Sequence, residues 1–186
     1  MKNNESFQNY SMRISSGLKT VSKKELDNAV ESIYKTAEHG GQIWLIGNGG
    51  SAATASHFAT DLSRCTSKTG QPLKVISLCD NTGLITAIGN DFSFEDIYIR
   101  QLQNLGETGD LLISISASGN SINLTKAVEF AKTCSISTLS FVGFNGGVLK
   151  KLSDNSIYVK TDIGDYGIAE DCHSIICHYI SSQLRE

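Results

Sequence analysis

Residues 42–62 read QIWLIGNGGSAATASHFATDL, a short apolar run followed by glycines and then by residues that favour a helix. The apolar run from Gln42 to Ile46 predicts a strand, and Gly47-Asn48-Gly49-Gly50 predicts the tight turn that ends it. A helix then begins near Ser51. A strand that turns through glycines into a helix is a building unit of α/β proteins, so this stretch decides the fold class.

The same pattern recurs along the chain, because further apolar runs are each followed by a turn and a helical stretch. Strands are predicted at 73–79, 110–115, 137–142 and 156–159. Helices are predicted at 82–88, 94–105, 121–131, 148–152 and 167–184, with breaks at 89–91, 116–120 and 143–147. Before the first strand, a capping box at Ser22 and Glu25 opens an amphipathic helix that Gly40-Gly41 closes.

Strands that alternate with helices imply right-handed crossovers and a parallel sheet covered on both faces. We therefore predict a three-layer α/β/α sandwich of about five parallel strands, in a single domain of 186 residues. Ligands of open parallel sheets bind beyond the carboxyl ends of the strands, so chemistry is expected at the turns after the first and third strands. Residues 1–20 are polar and have no clear period, which predicts a frayed tail or a helix that docks on something outside this chain.

Composition and charge exclude several classes of function. The chain carries 16 Lys and Arg against 19 Asp and Glu, a net charge of -3, which leaves little attraction for nucleic acid or an anionic membrane. Its five cysteines are never spaced Cys-x-x-Cys, so neither a disulfide framework nor a cysteine zinc site is indicated. No apolar run approaches the roughly 18 residues of a membrane span, and the N-terminus lacks the apolar stretch of a signal peptide. A cytoplasmic protein is predicted.

The glycine turn is a candidate anion site. Residues 47–52 match the loose pattern G-x-G-x-x-[GA], in which backbone N–H groups and the start of a helix approach an anion. Two other interpretations stay open: the glycines simply close a strand-helix connection, or they belong to a dinucleotide site. A dinucleotide site needs an acid at the end of the second strand, and Asp80 lies there, although about 30 residues on and not the usual ~20.

A second loop, residues 116–121 (SASGNS), also joins a strand end to a helix start but carries hydroxyl groups in place of most of the glycines. A phosphate monoester offers three acceptor oxygens, and serine hydroxyls together with the free N–H groups of a helix start satisfy them without a lysine. The loop therefore predicts phosphate binding. The alternative is that Ser118 or Ser121 simply caps the following helix.

Histidines and carboxylates on two helices form a candidate metal set. His57 and Asp61 are four residues apart and share one helix face. Glu170 and His178 point to roughly one side of the last helix but are separated by ~12 Å of rise, so they reach a common ion only if they lean together or if subunits share the site. Such nitrogen and oxygen donors suit zinc or another divalent metal. The alternatives are an ordinary surface contact and structural histidines.

Four segments together resemble the sugar isomerase (SIS) domain of the phosphoheptose isomerases, which convert sedoheptulose 7-phosphate to glycero-manno-heptose 7-phosphate. They are GNGGSAATASHFATDLSR (47–64), AIGNDFSFEDIY (87–98), SASGNSIN (116–123) and EDCHSIICH (170–178). The resemblance implies one flavodoxin-like SIS domain over 1–186, with 1–20 as a tail or an oligomerisation helix. It also implies a homotetramer with sites between subunits, and a role in making heptose for lipopolysaccharide or capsule.

The resemblance assigns roles to individual residues. The substrate-binding residues it implies are Asn48, Gly49 and Ser51 for the sugar, Asp91 as a further contact, and Ser116, Ser118, Asn120 and Ser121 for the phosphate. The implied ligands of one metal ion per site, expected to be zinc, are His57, Asp61, Glu170 and His178. The isomerisation moves a proton between neighbouring carbons through an enediol, and the resemblance makes Asp61 the base and His178 the acid.

Four positions depart from the family pattern. Asp61 stands for Glu and is one methylene shorter, Glu170 stands for Gln, Ala117 for Thr, and Gly167 for an Asp. These changes lie on the substrate side, so two other interpretations stay open. One is an isomerase of a different sugar phosphate, and the other is a non-catalytic SIS binding module of the kind that binds a replication initiator. A set of Asp61, Glu170 and His178 favours catalysis over a purely binding role.

Overall fold

The sheet has five parallel strands, as the sequence predicted. In the computed structural model, which describes residues 5–185, they lie in the order β2-β1-β3-β4-β5. The strands are β1 (Gln42–Gly47), β2 (Lys74–Ser77), β3 (Leu111–Ser116), β4 (Ser137–Val142) and β5 (Asn155–Tyr158). The chain order reverses between β1 and β3, which are neighbours, and this is the point where open sheets leave a crevice for a ligand.

Helices cover both faces of the sheet and complete the predicted three-layer sandwich. They are α1 (Phe7–Leu18), α2 (Lys23–Glu38), α3 (Gly50–Leu62), α4 (Thr82–Asp91), α5 (Ile99–Leu105), α6 (Ile122–Thr133), α7 (Leu149–Leu152) and α8 (Tyr166–Leu184). Side chains alternate along β1: Ile43 and Leu45 enter the core beneath α2, α3 and α8, whereas Trp44 and Ile46 enter the core beneath α5 and α6. All six residues of β3 are buried, which explains its continuous apolar character.

The region between β2 and β3 differs from the prediction. The break expected at 89–91 lies inside α4, which continues to Asp91. The helix expected at 94–105 is instead a 3-10 turn (Phe94–Asp96) followed by α5. Ile97 and Tyr98 lie between the two pieces and are buried, and the Tyr98 hydroxyl donates to the carbonyl of Gly47 at the end of β1. This tertiary contact explains why the helix is interrupted here.

The N-terminal segment is neither a frayed tail nor a helix that docks only outside the chain. It forms α1, which packs on α8 of the same chain. The Tyr10 hydroxyl donates to Asp171 over 2.6 Å, and this bond raises the pKa of Tyr10 to about 12. Arg13 pairs with Asp165. The apolar side of α1 has Tyr10, Ile14 and Leu18 at four-residue spacing and packs against the core, and this short repeat was missed among the polar residues around it. Residues 1–4 lie outside the described part.

None of the helices within residues 5–185 combines the length and the apolar character needed to cross a bilayer.

One histidine is buried in the core. His173 lies in α8 with its ring edge toward Phe141, the ring centroids being 6.3 Å apart. It is fully buried, and neither ring nitrogen has a hydrogen-bond partner of ordinary geometry among the described residues. Burial disfavours the charged form and lowers the pKa of His173 to about 4, against a smaller opposing effect of the Val142 backbone.

We expect the free energy of unfolding to fall as the pH drops from about 6.5 toward about 4. In this range the unfolded chain binds a proton at His173, whereas the folded chain does not. The loss from this residue is roughly 2 to 3 kcal/mol. His173→Leu should remove it, and should also stabilise the protein at neutral pH by removing two unpaired polar atoms. Urea unfolding across this pH range measures both effects. The control is His39→Gln at the exposed end of α2; equal pH slopes for wild type and His173→Leu would contradict the assignment.

Candidate functional site

The two predicted anion loops lie side by side. Gly47 pairs with Ile115 in the sheet, so the glycine loop after β1 and the serine loop after β3 leave the same edge together. A small pocket opens between them. It is lined by Asn48, Ser51, Ile115, Ser116, Ala117, Ser118, Ser121, Tyr166 and Glu170. The fold thus gathers five of the eight residues predicted to bind substrate, namely Asn48, Ser51, Ser116, Ser118 and Ser121.

The serine loop presents hydroxyl groups that are not used to cap α6. Ser116 Oγ accepts from the N–H of Gly119 over 3.0 Å, and Ser118 Oγ accepts from the N–H of Asn120 over 3.2 Å. Each of these hydroxyls keeps its own hydrogen to donate. Ser121 is the N-cap residue of α6, yet its side chain makes no capping bond within the described structure. With the free N–H groups of the first turn of α6, these hydroxyls suit a phosphate.

The glycine loop depends on the absence of side chains. Gly49 has a φ of 53°, in the left-handed region that favours glycine, and it is the N-cap of α3. A Cβ at Gly47 would lie 2.5 Å from the carbonyl oxygen of Ser51, and one at Gly50 would collide with the carboxylate of Glu170. Gly49, a predicted substrate residue, does not line the pocket; it sets the path of the backbone where α3 begins.

Glu170 brings a negative charge into this pocket. Its carboxylate lies against Gly50 at the start of α3, and burial, together with the neighbouring charge of Asp171, raises its pKa. Among the described residues that line the pocket, none is Lys or Arg. An anion in this pocket would therefore meet neutral donors only, and an ionised Glu170 would oppose its binding.

A second group of functional side chains lies further along α3 and α8. His57, Asp61 and His178 offer ligand atoms that all lie within 4.8 Å of one another. Oδ2 of Asp61 is 3.9 Å from Nε2 of His57 and 3.7 Å from Nε2 of His178. The Asp61 side chain is 12% exposed, whereas the imidazoles are 56% and 54% exposed. Arg185 donates to the other oxygen, Oδ1, over 3.0 Å.

Three of the four predicted metal ligands thus come together, and Glu170 does not. Within residues 5–185, the metal-type group consists of His57, Asp61 and His178, while Glu170 lies in the pocket between the loops. Eight residues of helix separate Glu170 from His178, and this rise of about 12 Å keeps them apart in one chain. Two imidazoles and a carboxylate fit a zinc ion with three protein ligands and one open position.

Two further predicted substrate residues lie outside the pocket. The side-chain amide of Asn120 donates to the carbonyl of Ser118 over 3.1 Å and accepts from the N–H of Val148 over 3.0 Å, so it braces two loops against each other. Asp91 is exposed at the end of α4, where it accepts a hydrogen bond from Asn90.

Three further residues at these sites were not predicted from the sequence. Tyr166 lines the pocket, Arg185 holds Asp61, and Asn123 pairs with Asn48. The SASGNSIN segment offered a signal for Asn123, because it ends at a polar residue in the first turn of α6. Arg185 and Tyr166 carried no signal, because only the tertiary packing of α8 brings them to their partners.

Comparison with known proteins identifies the family. A model of the SIS domain matches residues 6–143. The phosphoheptose isomerase of Helicobacter pylori (strain P12) is 40% identical over 155 residues, which make up 83% of this chain and 80% of that protein. The chain belongs to the phosphoheptose isomerase family of SIS-domain proteins.

Solved phosphoheptose isomerases share its fold. The structure from Neisseria gonorrhoeae superposes with a TM-score of 0.83 at 28% identity, covering 94% of this chain and 92% of that one. The structure from Francisella tularensis gives a TM-score of 0.84 at 26% identity, with 96% and 93% covered. Phosphoheptose isomerases are aldose-ketose isomerases of sugar phosphates, so the predicted family, fold and enzyme class are confirmed. Membership replaces the dinucleotide interpretation of the glycine loop.

Glu170→Gln removes a negative charge from the anion pocket. We expect the variant to bind inorganic phosphate about threefold to tenfold more tightly near neutral pH, because a like charge is gone. Wild-type affinity should fall relative to that of the variant as the pH rises above the usual range of a glutamate carboxyl, since the raised pKa of Glu170 delays the loss of its proton to that range. Isothermal titration calorimetry measures both. Glu129→Gln, on the exposed side of α6, is the matched control, and identical affinities at all pH values would refute the expectation.

Proposed function

We propose that this protein isomerises D-sedoheptulose 7-phosphate to D-glycero-D-manno-heptose 7-phosphate. The observation that carries the proposal is that each chain supplies both kinds of group that such a site needs, and supplies them on one pair of helices. The anion pocket takes Ser51 from α3 and Glu170 from α8, and the acid-base group takes Asp61 from α3 and His178 from α8. Phosphate binding and proton transfer are the two tasks of a sugar-phosphate isomerase.

Asp61 and His178 move the protons in this proposal. Asp61 takes a proton from C1 of the ketose while His178 gives one to the C2 oxygen, which forms the enediol. Asp61 then returns its proton to C2, and His178 takes the proton of the C1 hydroxyl, which leaves the aldehyde. Arg185 occupies Oδ1 of Asp61 and leaves Oδ2 toward the imidazoles, so it orients the base.

A divalent metal, zinc by its donor preference, belongs to the same proposal. His57, Asp61 and His178 would hold it. When bound, such an ion supplies a Lewis acid that polarises the carbonyl and hydroxyl oxygens of the sugar. Asp61 and His178 can transfer protons only while they are not coordinated to the metal. Turnover measured after metal removal therefore distinguishes their role as ligands from their role in proton transfer.

The proposal also includes a homotetramer whose sites lie between subunits. In one chain the anion pocket and the acid-base group are about 12 Å apart along α8. Two imidazoles that are more than half exposed, and an exposed Asp91 that does not line the pocket, are suited to meeting a second copy. In the cell, we place the reaction in the cytoplasm, where it supplies heptose for lipopolysaccharide or capsule.

The alternative substrate is a different sugar phosphate. Ala117 lines the pocket and lacks the hydroxyl that the family commonly has there, and Gly167 lacks a carboxylate at the start of α8. Both changes alter the surroundings of the sugar and leave the proton-transfer group in place. A panel of ketose phosphates of different chain lengths separates this alternative from the heptose substrate.

We expect purified protein to turn over sedoheptulose 7-phosphate, with the aldose product followed by NMR. Asp61→Asn should lower kcat by about 10² to 10⁴, because the base is lost. Asp27→Asn, in an exposed helical ion pair with Lys23, is the control. Unchanged turnover in Asp61→Asn would overturn the catalytic assignment. Turnover that survives a chelator would remove the metal from the mechanism, and turnover of a different ketose phosphate alone would replace the substrate.

A site shared between subunits predicts that two inactive variants restore each other. Ser118→Asp places a negative charge in the anion pocket, and His178→Gln removes the acid. After co-refolding at equal amounts, about a quarter of shared sites would combine an intact pocket with an intact acid from another chain, and activity should recover to that level. Each variant refolded alone is the control. No recovery in mixed oligomers would mean that each chain carries a whole site.

A further inference from the structure

Two asparagine side chains join the glycine loop to the first turn of α6, which directly follows the serine loop. Nδ2 of Asn48 donates to Oδ1 of Asn123 over 2.9 Å, and Nδ2 of Asn123 donates back to Oδ1 of Asn48 over 2.8 Å. Asn48 follows β1, whereas Asn123 lies in the first turn of α6. The pair is reciprocal, so each amide satisfies one donor and one acceptor of the other.

The place of this pair makes it a cross-link at the switch point of the sheet. β1 and β3 are hydrogen-bonded to each other up to the Gly47 and Ile115 pair, and beyond that point the two loops continue separately. Asn123 is 3% exposed, so its amide is shielded from water and depends on a protein partner. Among the side-chain hydrogen bonds of the described residues, this pair links the two loops directly.

We propose that Asn123 is a positioning residue, which sets the distance between the part of the site that holds the sugar and the part that holds the phosphate. The inference rests on the proposed function, since it assigns the two loops to those two ends of one substrate. Asn123 lies beside Ser121 and Ile122 but is absent from the pocket lining, so it acts through Asn48 and does not touch the substrate. Asn123 therefore affects where the loop that holds the sugar lies relative to the loop that holds the phosphate.

The chemistry of the pair requires an amide at both positions. An amide offers a donor and an acceptor in one plane, which a reciprocal pair uses together. A carboxylate at position 123 would still accept from Asn48 but could not donate back, and it would add a negative charge near the anion loop. An alanine would leave Asn48 without its partner and free the glycine loop to shift. A misplacement of about 1 Å between reacting groups can cost about 10²-fold in rate.

The test compares wild type, Asn48→Ala, Asn123→Ala and the double variant, with Asn28→Ala on the exposed face of α2 as the control. In Asn123→Ala we expect kcat for sedoheptulose 7-phosphate to fall about tenfold to a hundredfold, because the sugar end is displaced from the proton-transfer group. The affinity for inorganic phosphate, measured by calorimetry, should stay within about threefold, because the serine loop itself is intact. The double variant should be no worse than the poorer single variant, since one interaction is lost in all three.

Two results would overturn the positioning role. One is a loss of phosphate affinity in Asn123→Ala that equals the loss of kcat, which would mean that Asn123 only maintains the serine loop. The other is additive losses in the double variant, which would mean that the two amides act separately. Urea unfolding of the same four proteins tests the coupling without any substrate. If the wild type fails to turn over sedoheptulose 7-phosphate, the proposed function is refuted. Phosphate affinity and urea unfolding would still show whether Asn48 and Asn123 are coupled.

Discussion

The turn after β1 has no room for a side chain at Gly47 or Gly50, and the site depends on that constraint. The backbone at Gly47 folds back on Ser51, and Gly50 lies against the carboxylate of Glu170. Because these positions are glycines, α3 can start immediately at the edge of the sheet and α8 can approach it closely. The same approach aligns α3 and α8 along their lengths, so Asp61 on one helix faces His178 on the other. A side chain at Gly50 would push α8 away from α3, and one at Gly47 would displace the first turn of α3 from the edge of the sheet.

Charge is distributed unevenly between the two halves of the site. The anion pocket contains hydroxyls, helix N–H groups and the carboxylate of Glu170, without a cationic side chain among its described lining residues. The only guanidinium at the site, within the described residues, lies at the other half, where Arg185 holds Asp61. The phosphate binding proposed for this pocket would therefore rely on well-oriented neutral donors. With this arrangement, phosphate affinity would depend more on the geometry of the loops than on net charge. The Asn48–Asn123 pair is important for this reason, because it would hold the two loops in place.

Local patterns explain which parts of the fold were predicted correctly. The five strands, the capping box of α2 and the strand-turn-helix at 42–62 follow from apolar runs, caps and glycines that act over a few residues. The errors occur where contacts between distant parts of the chain determine the local structure. Tyr98 interrupts a predicted helix because its hydroxyl reaches Gly47, and α1 docks on α8 through Tyr10 and Asp171. Neither hydrogen bond leaves a periodic signal, since both are polar and join segments far apart in the chain. The docking of α1 does leave one, because Tyr10, Ile14 and Leu18 repeat at helical spacing, but the repeat is short.

By itself, the sequence determined the family, the fold class and the two loops, because these depend on short motifs and on the alternation of strands and helices. It also named all three residues that come together on α3 and α8, namely His57, Asp61 and His178. Only the tertiary structure decided that Glu170 belongs to the anion pocket and not to that group, that Arg185 orients Asp61, and that Asn123 links the loops. The physical reason is distance: helical periodicity fixes direction around an axis, but two residues eight positions apart lie about 12 Å from each other along it. Which of them meets a given partner depends on how the helix packs against the rest of the chain.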